Sequence, residues 1–343
     1  MANRVAFVII WVGKLPNTFD IWFQSLTNNK EFDFFLFTDQ LADDKYKTEN
    51  LYWNYINLQA LNDLVNTKLE YNISIKNTYK IADFKPMYGL LFEEYLTQYT
   101  HWGFCDNDIL LGKITHFITP NLLENYDKLF YRGHFTILKN NQNCNNLYSK
   151  SNLIESEKAL SIAENTFFDE WYGITQIFDE NKLTQFFADK WHFNVDHNSF
   201  FIKATNLKNY FFQVLEYSQG QLFQVYFDFS KLKINKIEIL YAHIEKRKYL
   251  KNNCLEINNQ KVIINALGVE IQQGPINLWV LIKNKKPNFS QVFYKLSKKI
   301  KNILGTEKLP INLFLKENYE KHQSNERAHF WHFHESNAPL KEK

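Results

Sequence analysis

The stretch Trp102-Gly103-Phe104-Cys105-Asp106-Asn107-Asp108-Ile109-Leu110-Leu111-Gly112 decides how this chain is read. An apolar run stops at two carboxylates one residue apart, and a second apolar run follows at once. Residues two apart on an extended backbone face the same side, so Asp106 and Asp108 stand together where a strand gives out. Two acids side by side repel each other unless something positive sits between them, and a hard divalent cation serves that purpose. Mg²⁺ or Mn²⁺ held by one or two carboxylates keeps positions open for substrate phosphates, which suggests a nucleoside-diphosphate site. Asp-Asn-Asp is also good turn chemistry. Taken alone, it reads as a polar turn between strands, and the surroundings must decide.

Upstream, residues 5–12 form a β-rich run ending at Gly13, 32–38 a second ending at Asp39, and 51–58 a third. Between them Phe19, Trp22, Phe23 and Leu26 recur at helical spacing, and 58–65 reads as a short helix. This alternation opens a doubly wound α/β domain with a mostly parallel sheet flanked by helices. Ligands bind such sheets beyond the carboxyl ends of the strands. Gly13, Asp39 and the Asp106 pair all fall at those ends, and their agreement favours a site over a turn.

Residues 81–99 read as one long helix with Phe84, Tyr88, Leu91, Phe92, Tyr95 and Leu96 on its apolar face. Pro86 lies in its first turn, where proline is tolerated. Downstream, 129–131, 191–195 and 237–242 read as strands, the last ending at His243. The Asn- and Ser-rich segment 139–165 reads as an exposed loop or lid, and 255–283 as one or two small strands.

The 343 residues suffice for one large α/β domain with an appendage. Thirty-one Phe and 19 Tyr suit a ring-lined pocket or plain core packing. A net charge of +3 is too mild to make nucleic acid the main partner. The 3 cysteines (Cys105, Cys144 and Cys254) lack metal-ligand spacing, and an odd number argues against a disulfide framework. A reducing cytoplasm fits. No segment reaches the ~20 apolar residues of a spanning helix, so the protein is expected to be soluble or to sit on a membrane surface. From Pro287 onward, Phe289, Val292, Phe293, Leu296, Ile300, Ile303 and Leu304 make a stripe beside Lys295, Lys298, Lys299 and Lys301. That is a basic amphipathic helix over about 288–304, docked on the core or touching an anionic membrane peripherally.

Joined, the segments Tyr79-Lys80-Ile81-Ala82-Asp83-Phe84-Lys85-Pro86-Met87-Tyr88-Gly89 and Trp102-Gly103-Phe104-Cys105-Asp106-Asn107-Asp108 carry a resemblance. They are similar to bacterial GT-A type glycosyltransferases with a D-x-D motif, of the family found in capsular and surface polysaccharide clusters. That family's pattern is K-x-x-D-F-K-P-x-Y-G before W-G-x-C-D-x-D. The resemblance is close over 79–112 and looser through Tyr131-Arg132-Gly133-His134-Phe135, Phe168-Asp169-Glu170-Trp171 and Ala242-His243-Ile244-Glu245-Lys246-Arg247. It implies a GT-A-like catalytic domain over 1–250, with the donor bound by 1–112 and the acceptor by 113–250. A small α/β or helical extension would cover 251–343.

The implied enzyme is a hexosyltransferase-type glycosyltransferase using Mn²⁺ or Mg²⁺, a nucleotide-sugar donor (UDP by default) and a glycan or lipid-linked acceptor. Asp106, Asp108 and His243 would hold the cation. Trp11, Val12, Gly13, Asp39, Asp83, Lys85, Asp106, Lys246 and Arg247 would meet the donor, with Arg247 better matched to phosphate by its forked geometry. Arg132, Gly133, His134 and Trp171 would line the acceptor side. Asp169 or Glu170 would take the proton of the attacking hydroxyl if the anomeric centre inverts; a helix-start acid pair complementing the macrodipole is the plainer alternative. Two other functions compete: a sugar nucleotidyltransferase, for which Gly13-Lys14-Leu15-Pro16 is a poor first loop, and a catalytically silent glycan-binding or scaffold subunit of a polysaccharide assembly complex.

Overall fold

The computed structural model describes residues 4–196, 199–244, 257–258 and 260–287. Its strands in the first half are β1 (Val5–Trp11), β2 (Phe32–Thr38), β3 (Leu51–Tyr55), β4 (His101–Cys105), β5 (Ile109–Leu111), β6 (Lys128–Arg132) and β7 (Phe135–Lys139). Then come β8 (Gln185–Phe186), β9 (His192–Asn194), β10 (Gln213–Ser218), β11 (Gln221–Asp228), β12 (Lys233–Ile239), β13 (Tyr241–His243), β14 (Val262–Ile264) and β15 (Val269–Ile271).

The fold is α/β around a mixed sheet ordered β3-β2-β1-β4-β7-β6-β8. β3, β2, β1 and β4 run parallel, whereas β7 is antiparallel to both β4 and β6. β1 is buried on both faces, which is why it reads as an unbroken apolar run. Ala6, Val8 and Ile10 face one core, with Leu61, Val65, Leu91 and Phe92; Phe7 and Ile9 face the other, with Phe19, Trp22 and Leu26. The helices Phe19–Leu26 and Leu58–Leu69 thus cover opposite sides.

The long helix expected over 81–99 does not form. A 3₁₀ stretch, Thr78–Met87, is followed by two short turns of helix, Tyr88–Leu91 and Glu93–Leu96. Asp83 explains much of the departure. Its carboxylate is fully buried and accepts from Lys80 Nζ (2.7 Å) and from the backbone N–H groups of Thr166 (2.8 Å) and Phe168 (2.9 Å). The segment is wound to serve a neighbour, not its own periodicity. The two halves of the quoted pattern also lock together. A Cβ on Gly89 would stand 2.3 Å from Trp102 Nε1, and that indole N–H donates to Asn145 Oδ1 at 2.8 Å.

Residues 139–165 are not an exposed lid either. They hold the helices Gln142–Asn145 and Ser156–Ser161, and Cys144, Leu147, Ile154 and Leu160 are buried in the core beside Trp102. The Asn and Ser side chains responsible for the loop reading are helix caps and turn ties: Asn141 caps the first helix through Cys144 N.

A second, antiparallel sheet, β12-β11-β10-β14-β15, joins strands on both sides of residue 250. Of it, the sequence suggested only the stretch at 237–242 and small strands within 255–283. A third sheet, β5-β13-β9, follows directly on the acid pair. Among the described residues, no helix is long and apolar enough to cross a membrane. The amphipathic stretch 288–304 lies outside the described residues.

Candidate active site

Register builds the site. β4 ends at Cys105 beside the carboxyl end of β1, so Asp106 emerges at the ligand-binding edge of the parallel strands. β5 then pairs antiparallel with β13, setting His243 opposite Ile109, and the N–H of Ile244 donates to the Asp108 carbonyl at 3.1 Å. Backbone pairing thereby fixes His243 against the acid pair across more than a hundred residues of sequence.

His243 Nε2 lies 3.4 Å from Asp108 Oδ1 and 4.0 Å from Asp106 Oδ2. One ligand atom from each of the three residues lies within 4.8 Å of the others. Asp108 Oδ1 is buried and has no hydrogen bond of good geometry, a costly arrangement unless something positive joins it. Burial raises the Asp108 carboxyl, but His243 outweighs burial and holds it below the usual carboxylate value. An imidazole nitrogen and two carboxylates suit Mn²⁺ or a similar cation, so these residues fit the metal the sequence implied. Other donors are engaged. The opposite nitrogen, His243 Nδ1, meets Asn194 Oδ1 at 3.0 Å, and its ring stacks on His134 with centroids 4.3 Å apart. With the N–H at Nδ1 held by Asn194, the Nε2 lone pair faces the carboxylates once the ring gives up its Nε2 proton, the form that binds a cation.

Lys85 links this trio to the second acid pair. Its ammonium donates to Asp106 Oδ1 at 2.6 Å and to the Gly133 carbonyl at 2.8 Å, and stands 3.3 Å from Asp169 Oδ2. Burial works against the charge on Lys85, yet Asp106 and Asp169 outweigh it and raise its pKa above the lysine norm. Burial pushes the Asp169 carboxyl well up, Lys85 opposing and Glu170 adding to the rise. Burial likewise raises Glu170, with Arg132 pulling the other way. Lys85 is therefore the charged member, held first by Asp106. Two residues with left-handed backbone, Phe130 (φ 69°) and Phe167 (φ 56°), bracket this region, and Trp171–Thr175 forms a π-turn. Such strain is kept where surroundings demand it.

The remaining expected residues fall into three groups. Trp11, Val12, Gly13 and Asp39 do line the carboxyl edge, but Asp39 Oδ1 accepts the Gly13 N–H at 2.8 Å and so shapes the loop itself. Asp83, expected at the nucleoside, is fully buried. It anchors 166–168, the segment leading to Asp169. Among the residues expected on the acceptor side, Gly133 leaves room for Asp169: a Cβ there would lie 2.2 Å from Asp169 Oδ2 and push that carboxylate aside. Arg132 Nε stands 3.8 Å from Asp189 Oδ1, and Trp171 packs edge-on against Tyr131. His134 is buried and takes the Tyr241 hydroxyl at Nδ1, 2.8 Å away. It therefore backs His243 and does not face an acceptor. Lys246 and Arg247 lie outside the described residues. Sequence reading missed Asn194, although the strand carrying it was expected; only knowledge of the β9–β13 pairing would have revealed it.

Several solved structures share similarity with this chain. The apo glycosyltransferase GlyE of Streptococcus pneumoniae TIGR4 matches with TM-score 0.32 and 11% identity, over 56% of this chain and 46% of that one. The galactosyltransferase LgtC, bound to donor and acceptor sugar analogues, matches with TM-score 0.33 and 8% identity, over 56% and 75%. Mouse xyloside xylosyltransferase 1 matches with TM-score 0.34 and 9% identity, over 57% and 88%. The chain spans less than half the length of GlyE. No curated protein matches it. A family model described as a family of unknown function, DUF6625, matches residues 7–272, so the chain belongs to that family.

Proposed function

We propose that this chain is a metal-dependent glycosyltransferase that moves a sugar from a nucleoside-diphosphate donor, UDP by default, to a glycan or lipid-linked acceptor in surface polysaccharide synthesis. One observation carries the reading: Asp106, Asp108 and His243 converge at the carboxyl edge of parallel strands, with a buried Asp108 oxygen left without a hydrogen bond. The sequence pattern over 79–112 supports the same reaction class.

Loss of the sugar leaves negative charge growing on the β-phosphate, and a bound cation supplies the neutralising charge. The protein's own residues do the rest. Asn194 keeps the His243 Nε2 lone pair turned toward the site. Lys85 holds Asp106 in place and sets positive charge between the two acid pairs. Asp169 and Glu170, both raised by burial, are the groups available to accept a proton from the attacking hydroxyl. Gly13, whose N–H is held by Asp39, and its neighbours at the end of β1 would meet base and ribose.

The test is a panel of nucleotide sugars with Mn²⁺, followed by thermal shift and donor hydrolysis. Metal-dependent stabilisation by one diphosphate sugar, with release of the nucleoside diphosphate, is expected. Pyrophosphate release from a nucleoside triphosphate would indicate a nucleotidyltransferase instead. Glycan binding without metal-stimulated nucleotide binding would indicate a silent subunit.

A further inference from the structure

The antiparallel sheet carries a surface that the catalytic reading does not use. Its β11–β12 connection, residues 229–232, joins Asp228 to Lys233, which face each other across the ladder. At this tip Phe229 is 57% exposed and Leu232 is 77% exposed. Beside it Phe211 is 64% exposed, and Phe212 accepts the Phe227 N–H at its carbonyl. The rings form a continuous cluster: centroids of Phe211 and Phe212 lie 4.7 Å apart, Phe212 and Phe229 6.1 Å, Phe227 and Phe229 5.0 Å. Exposed apolar clusters of this kind on a folded surface mark contact sites.

Lysines outnumber acids around the cluster. Lys231 and Lys233 flank Leu232. Lys285 stands 2.9 Å from the Phe211 ring centroid and 5.2 Å from that of Phe212. Burial lowers the pKa of Lys285 and the nearby charge of Lys203 lowers it further. One acid shares the tip: Asp228 Oδ1 accepts from Ser230 N and Oγ and Oδ2 from Asn235 Nδ2, with the charge of Lys231 nearby. Exposed apolar side chains at a turn, with Lys285 over two of the rings and Lys231 and Lys233 on either side of Leu232 in the chain, match the layered chemistry of a bilayer interface. Rings enter the headgroup boundary while cations meet anionic headgroups.

We infer that Phe211, Phe229 and Leu232, with Lys231, Lys233 and Lys285, form a docking surface for a bilayer bearing anionic lipids. The inference goes beyond the catalytic proposal and shares no residue with it. Its test needs neither nucleotide nor cation, so the two fail separately.

The experiment is co-sedimentation of the full chain with phosphatidylcholine vesicles, with and without phosphatidylglycerol. Binding to the anionic vesicles alone is expected. Phe211→Ser, Phe229→Ser and Leu232→Ser combined should weaken it at least about tenfold with the circular dichroism spectrum and Tm unchanged. Lys231→Glu, Lys233→Glu and Lys285→Glu combined should abolish the preference for anionic lipid. Failure of the unaltered chain to bind overturns the inference, as does undiminished binding by the serine variant. So does a dimer in sedimentation velocity that the serine variant dissolves, since the surface would then serve a second copy of the chain.

Discussion

Asp83 and Asp108 belong to the same short span of sequence, both carboxylates, both largely hidden from solvent, and their surroundings are opposite. Around Asp83 both oxygens are answered: Oδ2 by the Lys80 ammonium, the Thr166 N–H and the Thr166 hydroxyl, and Oδ1 by the Phe168 N–H. Around Asp108 one buried oxygen has no hydrogen bond of good geometry, and the imidazole 3.4 Å from it is engaged at its other nitrogen. A satisfied buried acid organises structure; an unsatisfied one, beside a second acid, waits for a ligand. The difference lies in the partners that the fold delivers.

The comparison predicts a double dissociation, and this is its largest effect. Asp108→Ala should cut Mn²⁺-dependent UDP binding by at least about 100-fold, reflecting the several kcal/mol a bound cation supplies. Its Tm should hold or rise, because a repulsive pair is relieved. Asp83→Ala should do the reverse. It strands the buried Lys80 and should cost about 3–5 kcal/mol of stability in denaturant titration, while the molecules that remain folded keep their affinity. If both variants lost stability equally and kept binding, the contrast would be void.

Asn194→Leu sharpens the same contrast. Losing the acceptor that sets the His243 tautomer should weaken Mn²⁺ binding by calorimetry about 10–100-fold, with little change in Tm. Gly133→Ala comes next: its methyl must displace the Asp169 carboxylate, at about 1–3 kcal/mol of strain, and kcat should fall more than donor affinity.

The smallest effect concerns three buried lysines. Lys80 and Lys85 face carboxylates, whereas Lys128 donates to the Phe130 carbonyl, Thr175 Oγ1 and Gln185 Oε1. Burial lowers its pKa well below the usual value. Below the unfolded value the unfolded chain then binds the extra proton, so stability rises with pH up to about 10.4 and its gain is lost as pH falls through the folded pKa. Lys128→Met should flatten that rise between pH ~8 and ~10 in thermal melts.

Much of the fold was legible because β1, β2 and β4 are buried on both faces and announce themselves as apolar runs. The acid pair was legible for the same reason: it interrupts such a run. The antiparallel sheet was not. Its central strands β10 and β11 carry Gln213 and Gln224 inside, Gln224 Nε2 donating to Gln213 Oε1 at 3.0 Å, so those strands did not read as apolar runs. The broken helix at 78–96 was illegible because its shape answers to Thr166 and Phe168, partners far along the chain. Asn194 was hidden likewise, as its role exists only through the pairing of β9 with β13. His134 was read as a ligand contact because its motif position suggested one, and burial against Tyr241 and His243 gives it another task.

The most direct measurement is diffraction at the manganese edge from a crystal grown with Mn²⁺ and UDP. The account predicts one anomalous peak about 2.1 Å from an Asp108 oxygen and His243 Nε2, with diphosphate oxygens on its open side. A peak elsewhere, or carboxylates turned apart with no ion between them, would contradict it.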